Sequence, residues 1–215
     1  RGVLGGLLTT TGLIPAVDFS PAGAREAVKP YGTGGDGMPN KTVNNPKVFI
    51  AIDKDGTVTI MSHRAEMGTG VSTSLPMVVA DEMEADWSKV KIVTTDGDEP
   101  KYGNQDTDGS RSMRHFIQAM RQCGAAMRQM LESAAAAKWG VDAALCSAKD
   151  HKVVLIDDKG KEQGKSLGFG ELAEAAMALP VPAVESLRFK SPDEFNYIGK
   201  GEIKAHDHRN ITMGK

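Results

Sequence analysis

The longest uninterrupted periodic run in the chain, Ser112 to about Trp139, sets the frame into which everything else must fit. Phe116, Ile117, Met120, Ala126, Met127, Met130 and Leu131 recur at helical spacing, while Arg114, Arg121, Arg128 and Lys138 fall on other faces. That pattern predicts an amphipathic helix with one side in a core. Ala134–Ala137 favours the helix and permits close packing, and Gly140 is placed to terminate it.

Shorter elements surround this run. Val48–Ile52 and Thr57–Met61 are β-branched and apolar and are joined by Asp53-Lys54-Asp55-Gly56, which predicts a hairpin. Val71–Met83 carries Leu75, Val78, Val79 and Met83 at helical spacing, with Pro76 tolerable if it lies in the first turn. Val90–Thr94 reads as a strand and Asp96–Gly109 as a polar loop. Val153–Ile156 opens a second hairpin-like stretch with its turn at Asp157-Asp158-Lys159-Gly160. Phe169–Leu179 is an Ala-rich helix stopped by Pro180 and Pro182. The order β-β-α-β-α-β-β-α predicts an α+β domain with helices packed on a mixed β-sheet. Its expected extent is 47–190, preceded by an extended Gly/Pro/Asn-rich linker at 25–46 and followed by a polar linker at 191–215.

The 215 residues carry a formal net charge of −2 with both signs mixed, so no basic stripe marks the chain for nucleic acid. Cys123 and Cys146 form no metal-ligand spacing and read as small buried apolar residues, with a disulfide open as an alternative. Arg1–Ala24 has a positive start, a short apolar run and an Ala22-Gly23-Ala24 site, the pattern of an export signal or anchor. A buried N-terminal helix or strand is the competing reading. Gly32–Gly37 lacks the Gly-Lys-Ser/Thr and the preceding strand that a phosphate loop requires.

Few residues suggest chemistry. No serine sits in a nucleophile elbow, and His63, His115, His151, His206 and His208 are scattered. His206 and His208 read as a solvated pair. Glu66 could act as a base, but a carboxylate at a strand end is more often held by nearby backbone N–H groups. Two loops remain, Met67-Gly68-Thr69-Gly70 and Thr107-Asp108-Gly109-Ser110-Arg111-Ser112, each at the start of a predicted helix. A helix start exposes free N–H groups and a positive dipole end, so the pair could cradle one phosphorylated ligand. Ordinary capping by Ser and Thr is the alternative.

Three stretches in this order, EMGTGVSTSLPMVVADEMEADWSKVKIV, QDTDGSRSMRHFIQAMRQCGAAMRQMLESAAAAKWGV and GFGELAEAAMALPVP, resemble the molybdenum hydroxylases. The nearest branch is the large subunit of isoquinoline 1-oxidoreductase and related membrane-associated bacterial aldehyde dehydrogenases. The resemblance implies a molybdopterin cytosine dinucleotide cofactor carrying molybdenum, bound against Met67, Gly68, Thr69 and Gly70 and by Gly109, Ser110, Arg111 and Ser112. It implies oxidation of an aldehyde, or alternatively of an N-heterocycle, with water-derived oxygen. Electrons would leave through a small [2Fe–2S] subunit and a c-type haem cytochrome subunit. The N-terminal pattern then resembles a twin-arginine signal, which implies a periplasmic location at the cytoplasmic membrane. The sequence departs from the family at Thr69, where glutamine is usual, and at Asp108, where a small residue is usual and a carboxylate adds charge beside the expected anion. No stretch here matches the region where the family's longer large subunits carry their catalytic glutamate. The chain is therefore expected to complete its site with the remainder of such a subunit. A cofactor-free assembly or binding domain of the same fold is the alternative from another functional class.

Overall fold

A computed structural model describes residues 8–9, 12–13, 38–204 and 213. The expected export segment, except for those four residues, lies outside the described residues, as do Gly32–Gly37, His206 and His208. Within residues 1–32, β1 (Leu8–Thr9) and β2 (Gly12–Leu13) pair antiparallel.

The remaining described residues form an α+β domain in the order α1 (Pro46–Phe49), β3 (Ile50–Ile52), β4 (Val58–Ser62), α2 (Val71–Glu82), β5 (Val90–Thr94), α3 (Glu99–Tyr102), α4 (Arg111–Trp139), β6 (Cys146–Lys149), β7 (Lys152–Ile156), β8 (Glu162–Gly168) and α5 (Phe169–Ala178). Two three-stranded sheets are present. In the first, β4 pairs antiparallel with β3 and parallel with β5, so this sheet is mixed, as expected. The second, β6-β7-β8, is wholly antiparallel and adds a sheet that the expectation of a single one did not contain. Cys146-Ser147-Ala148-Lys149 is too short and too polar to declare itself as a strand.

Two local expectations are corrected. Val48 and Phe49 are helical rather than extended, because the Asn45 side chain accepts from Lys47 N and Pro46 occupies the first helical position. Pro76 lies inside α2, past its first turn, where it can donate no bond back to Ser72. The β3–β4 turn forms as expected, with Asp53 N donating to Thr57 O and Gly56 N to Asp53 O, each at 2.9 Å.

Helix α4 is the spine. Phe116, Met120, Cys123, Met127, Met130 and Leu131 on it are each 3% exposed or less. It packs most extensively on α2, and the crossing depends on Gly124. A Cβ there would lie 2.6 Å from Val79 O and 2.7 Å from Glu82 Cβ. Gly140, in the left-handed conformation at φ 68°, ends the helix as expected, its N–H donating to Ala136 O. Cys123 and Cys146 are both free and buried.

The far end of α2 is a buried polar anchor. Asp81 accepts backbone N–H groups from Asn196, Tyr197 and Ile198 at 2.8–3.0 Å and pairs with Lys190 at 2.9 Å. Glu82 pairs with Arg121 at 2.5 Å. Residues 188–198 are thereby tied to the helices, although the sequence beyond Ser191 reads as linker. At the other end of the domain, Met38 is buried and Asn104 N donates to Lys41 O, so residues 38–41 also pack on it.

Gly124→Val should lower stability by about 2–3 kcal/mol, because the added carbons meet backbone that cannot move cheaply. A shifted denaturant midpoint of this chain is the measurement.

Candidate functional site

Strand β4 alternates, with Val58, Ile60 and Ser62 buried. The chain beyond it does not rise to solvent at once. His63 and Arg64 are 3% and 1% exposed, and exposure begins only at Ala65. After β5, the chain returns through α3 and residues 104–107 to the same corner. There the two approaches are stitched together. Ala65 N donates to Gln105 O at 3.2 Å, and Thr107 Oγ1 donates to Ala65 O at 2.5 Å. The Gln105 side-chain amide reaches His63 O, Thr95 Oγ1 and Asp96 O. The segments leading into the two glycine loops are therefore neighbours, and α2 and α4 both start from this corner.

The two helix starts differ in one decisive respect. At α2, Gly68 (φ 87°) and Gly70 (φ 77°) take the left-handed conformation that a side chain would resist. This folds the loop back so that Glu66 caps the helix. Its carboxylate accepts from Gly70 N (2.9 Å), Ser72 N (2.9 Å) and Ser72 Oγ (2.8 Å), and weakly from Thr69 Oγ1 (3.4 Å). Burial works against the charge, but N–H groups from Ser72 and Gly70, the Ser72 hydroxyl and the Thr69 N–H outweigh it and bring the carboxyl down to about 2. Glu66 is thus a fixed structural anion, and the amides at this end are already engaged. Met67 projects at 69% exposure.

At α4 the N-cap is Ser110, itself left-handed at φ 54°, and its side chain makes no cap bond. Arg111 N turns back to Asp108 O at 2.9 Å. Among the described residues, no side chain accepts from the amides of the first turn. Capping by Ser or Thr is therefore absent at both helix starts. The surrounding charge is mixed: the Arg64, Arg111 and Arg114 guanidinium groups stand among the Glu99, Asp106 and Asp108 carboxylates. Asp108, the extra carboxylate, is neutralised by an ion pair with Arg111.

Beneath this turn lies Arg64, which sequence reasoning passed over. Its Nε donates to Ser112 Oγ at 3.2 Å, and its Nη1 donates to Asn104 O (2.7 Å) and Oδ1 (2.5 Å). The guanidinium lies 4.2 Å over the Phe116 ring. Its Nη2 is buried without a partner, and so are His63 Nδ1 and His115 Nδ1. Among the described residues these three orphaned nitrogens all belong to this corner. His63 stacks against Phe49 and Phe116 at 5.1 and 5.4 Å. Burial, reinforced by the Arg64 charge, brings its imidazole down from 6.5 to about 3, so it is neutral. The only sequence signal for Arg64 was its position directly after a buried strand. Among the described residues, no group of three or more His, Cys, Asp or Glu is placed to hold a metal ion.

A parallel strand pair feeding two helix starts, one self-capped and one open to an anion over a buried cation, defines a domain suited to a phosphate-bearing cofactor. The chain belongs to the family of molybdopterin cofactor-binding domains, which matches residues 25–208. It is 34% identical over 173 residues to the membrane-bound aldehyde dehydrogenase [pyrroloquinoline-quinone] of Gluconacetobacter polyoxogenes, over 79% of this chain and 21% of that protein. It is 30% identical over 151 residues to isoquinoline 1-oxidoreductase subunit beta of Brevundimonas diminuta, over 67% of this chain and 19% of that protein. The chain thus spans about a fifth of the length of these relatives. Among solved structures, CO dehydrogenase from Oligotropha carboxidovorans aligns with a TM-score of 0.49 at 23% identity, over 59% of this chain and 15% of that one.

The residues present fit the family's cofactor. The open α4 turn and the exposed Gly109 present N–H donors above the buried Arg64 guanidinium, an arrangement that matches an anionic group.

The neutral His63 gives this corner a pH signature. Unfolded, His63 takes a proton near 6.5; folded, it resists protonation until about 3. Its contribution is complete above pH 6.5 and is lost as pH falls through that window, amounting to about 2 kcal/mol by pH 5. Unfolding midpoints at pH 7.5 and pH 5 should therefore differ less for His63→Phe than for the wild type.

Proposed function

We infer that this chain is the cofactor-binding segment of a molybdenum-dependent oxidoreductase that oxidises aldehydes. The observation that carries the reading is the uncapped α4 start, within a family defined by molybdopterin binding. When bound, the cofactor supplies two-electron oxidation with water-derived oxygen. This chain's own part is binding and orientation. The amides of Gly109, Ser110 and Ser112 receive the anionic end of the cofactor, in the form of molybdopterin cytosine dinucleotide, while Arg111 N is already bonded to Asp108 O. Arg111, held by Asp108, adds a cation at the rim. Met67, Gly68, Thr69 and Gly70 offer backbone and a short hydroxyl rather than a second phosphate site, because Glu66 already occupies the amides there.

The aldehyde reading follows the aldehyde dehydrogenase relative, which is 34% identical against 30% for the isoquinoline 1-oxidoreductase relative. That relative's name carries pyrroloquinoline quinone; the family match over residues 25–208 favours molybdopterin for this chain. The isoquinoline 1-oxidoreductase relative supports a second reading, an N-heterocycle hydroxylase built on the same cofactor site. In either case the remainder of the large subunit supplies the catalytic base and substrate pocket. A [2Fe–2S] subunit and a c-type cytochrome carry the electrons away. The word membrane-bound in the first relative's name supports association with a membrane, and the periplasmic side of it is proposed from the signal-like pattern of the N-terminal sequence. Among the described residues, no helix is long and apolar enough to cross a membrane.

Gly109→Val tests the reading in the complete complex. Gly109 sits at φ 49°, and a Cβ there meets Arg111 Nε at 3.2 Å. The variant should keep its subunits but lose at least 10-fold in molybdenum and pterin per complex. Wild-type complex without molybdenum, or a variant with full cofactor content, contradicts the proposal. Thr69→Gln separates a working site from a cofactor-free assembly domain: aldehyde turnover should rise on substitution, and indifference favours the assembly role.

A further inference from the structure

We propose that Arg64 is the positioning residue of the cofactor turn, a buried cation that sets the first turn of α4 and holds it open to an anion. This rests on the reading of that turn as the cofactor's anionic subsite.

Arg64 is the largest fully buried side chain in the described residues, at 1% exposure. Burying a guanidinium is costly unless it is paired, and among the described residues Arg64 has no carboxylate within ion-pair distance. Its bonds run instead to neutral oxygens on two segments. Nη1 fixes the Asn104 carbonyl and side chain, at the start of the loop that ends in Gly109. Nε fixes Ser112 Oγ in the first turn of α4, and Ser112 Oγ lies 3.4 Å from Thr107 Oγ1. One guanidinium thus sets the spacing between both ends of the Asn104–Ser112 excursion, with Phe116 as its floor. The facing carboxylates Asp106 and Glu99 make no ion pair with Arg64, Asp108 is taken by Arg111, and His63 and His115 are held toward neutrality by burial and by the neighbouring arginines. Nη2 retains unused donors in a water-excluded corner. A purely structural filler of this space would be better served by an apolar chain. A cation with spare donors under an uncapped helix start is suited instead to a negative charge arriving from above.

The test compares Arg64→Met with Arg64→Lys in the complete complex. Molybdenum and pterin are counted per complex, and amide exchange is followed at Ser110–Met113. Pyrophosphate is then titrated into cofactor-stripped complex, with protection of the same amides as the signal. Arg64→Met should lose at least 10-fold in cofactor content and in pyrophosphate affinity. Arg64→Lys should recover most of both, because it restores the charge. If the role is only packing, Met equals or exceeds Lys, and the inference is overturned. It is also overturned if Arg64→Met retains wild-type cofactor content. Should Arg64→Met fail to assemble, Arg64→Lys decides alone: pyrophosphate affinity within about 3-fold of wild type supports the role of charge, and a 10-fold loss removes it. Wild-type complex that lacks molybdenum yet shows Arg64-dependent pyrophosphate protection would sink the cofactor reading and leave Arg64 in its role.

Discussion

The structure depends on how closely α2 and α4 approach. Gly124 presents no side chain where α4 passes Val79 and Glu82, and the two helices touch backbone to backbone. That contact fixes α2 against the spine, and with it the corner where both helices begin. At the opposite end of α2, Asp81 and Glu82 are buried and would be costly alone. Lys190, Arg121 and three backbone N–H groups from residues 196–198 satisfy them. Buried ionic contacts of this kind add little net stability, but they specify which segment closes the domain.

Against this frame the two glycine loops have different tasks, despite similar sequences of small residues before a helix. Glu66 turns the first into a closed, self-satisfied cap that displays Met67 and Thr69. The second has no such carboxylate in reach, because Asp108 is drawn away by Arg111. The same dipole and the same free amides thus yield one filled and one open helix start. The position of a single carboxylate four residues before the N-cap of α2 decides between them.

Much of this was legible in the sequence where periodicity is long. The apolar face of α4, the β-branched run of β4, the Asp-Gly turn and the stop at Gly140 all follow from local pattern. The corner itself was legible only in part. Glu66 reads as a carboxylate held by nearby amides, and so it is, because its partners lie within six residues. Arg64 was not legible: a charge just past a strand reads as solvated, and its burial is created by Asn104 and Phe116, which are distant in sequence. Val48 and Phe49 were misassigned because their apolar character outweighed the Asn-Pro start before them. The second sheet was hidden because β6 and β8 carry little apolar pattern of their own.

The central claim is that the cofactor's anionic end rests on α4 and not on α2. A density map of the cofactor-loaded complex tests this most directly. The account predicts phosphate oxygens within hydrogen-bond distance of the amides of Gly109, Ser110 and Ser112, with Glu66 still bound to Gly70 and Ser72. Phosphate seated on Gly70–Ser72, with Glu66 displaced, would contradict it.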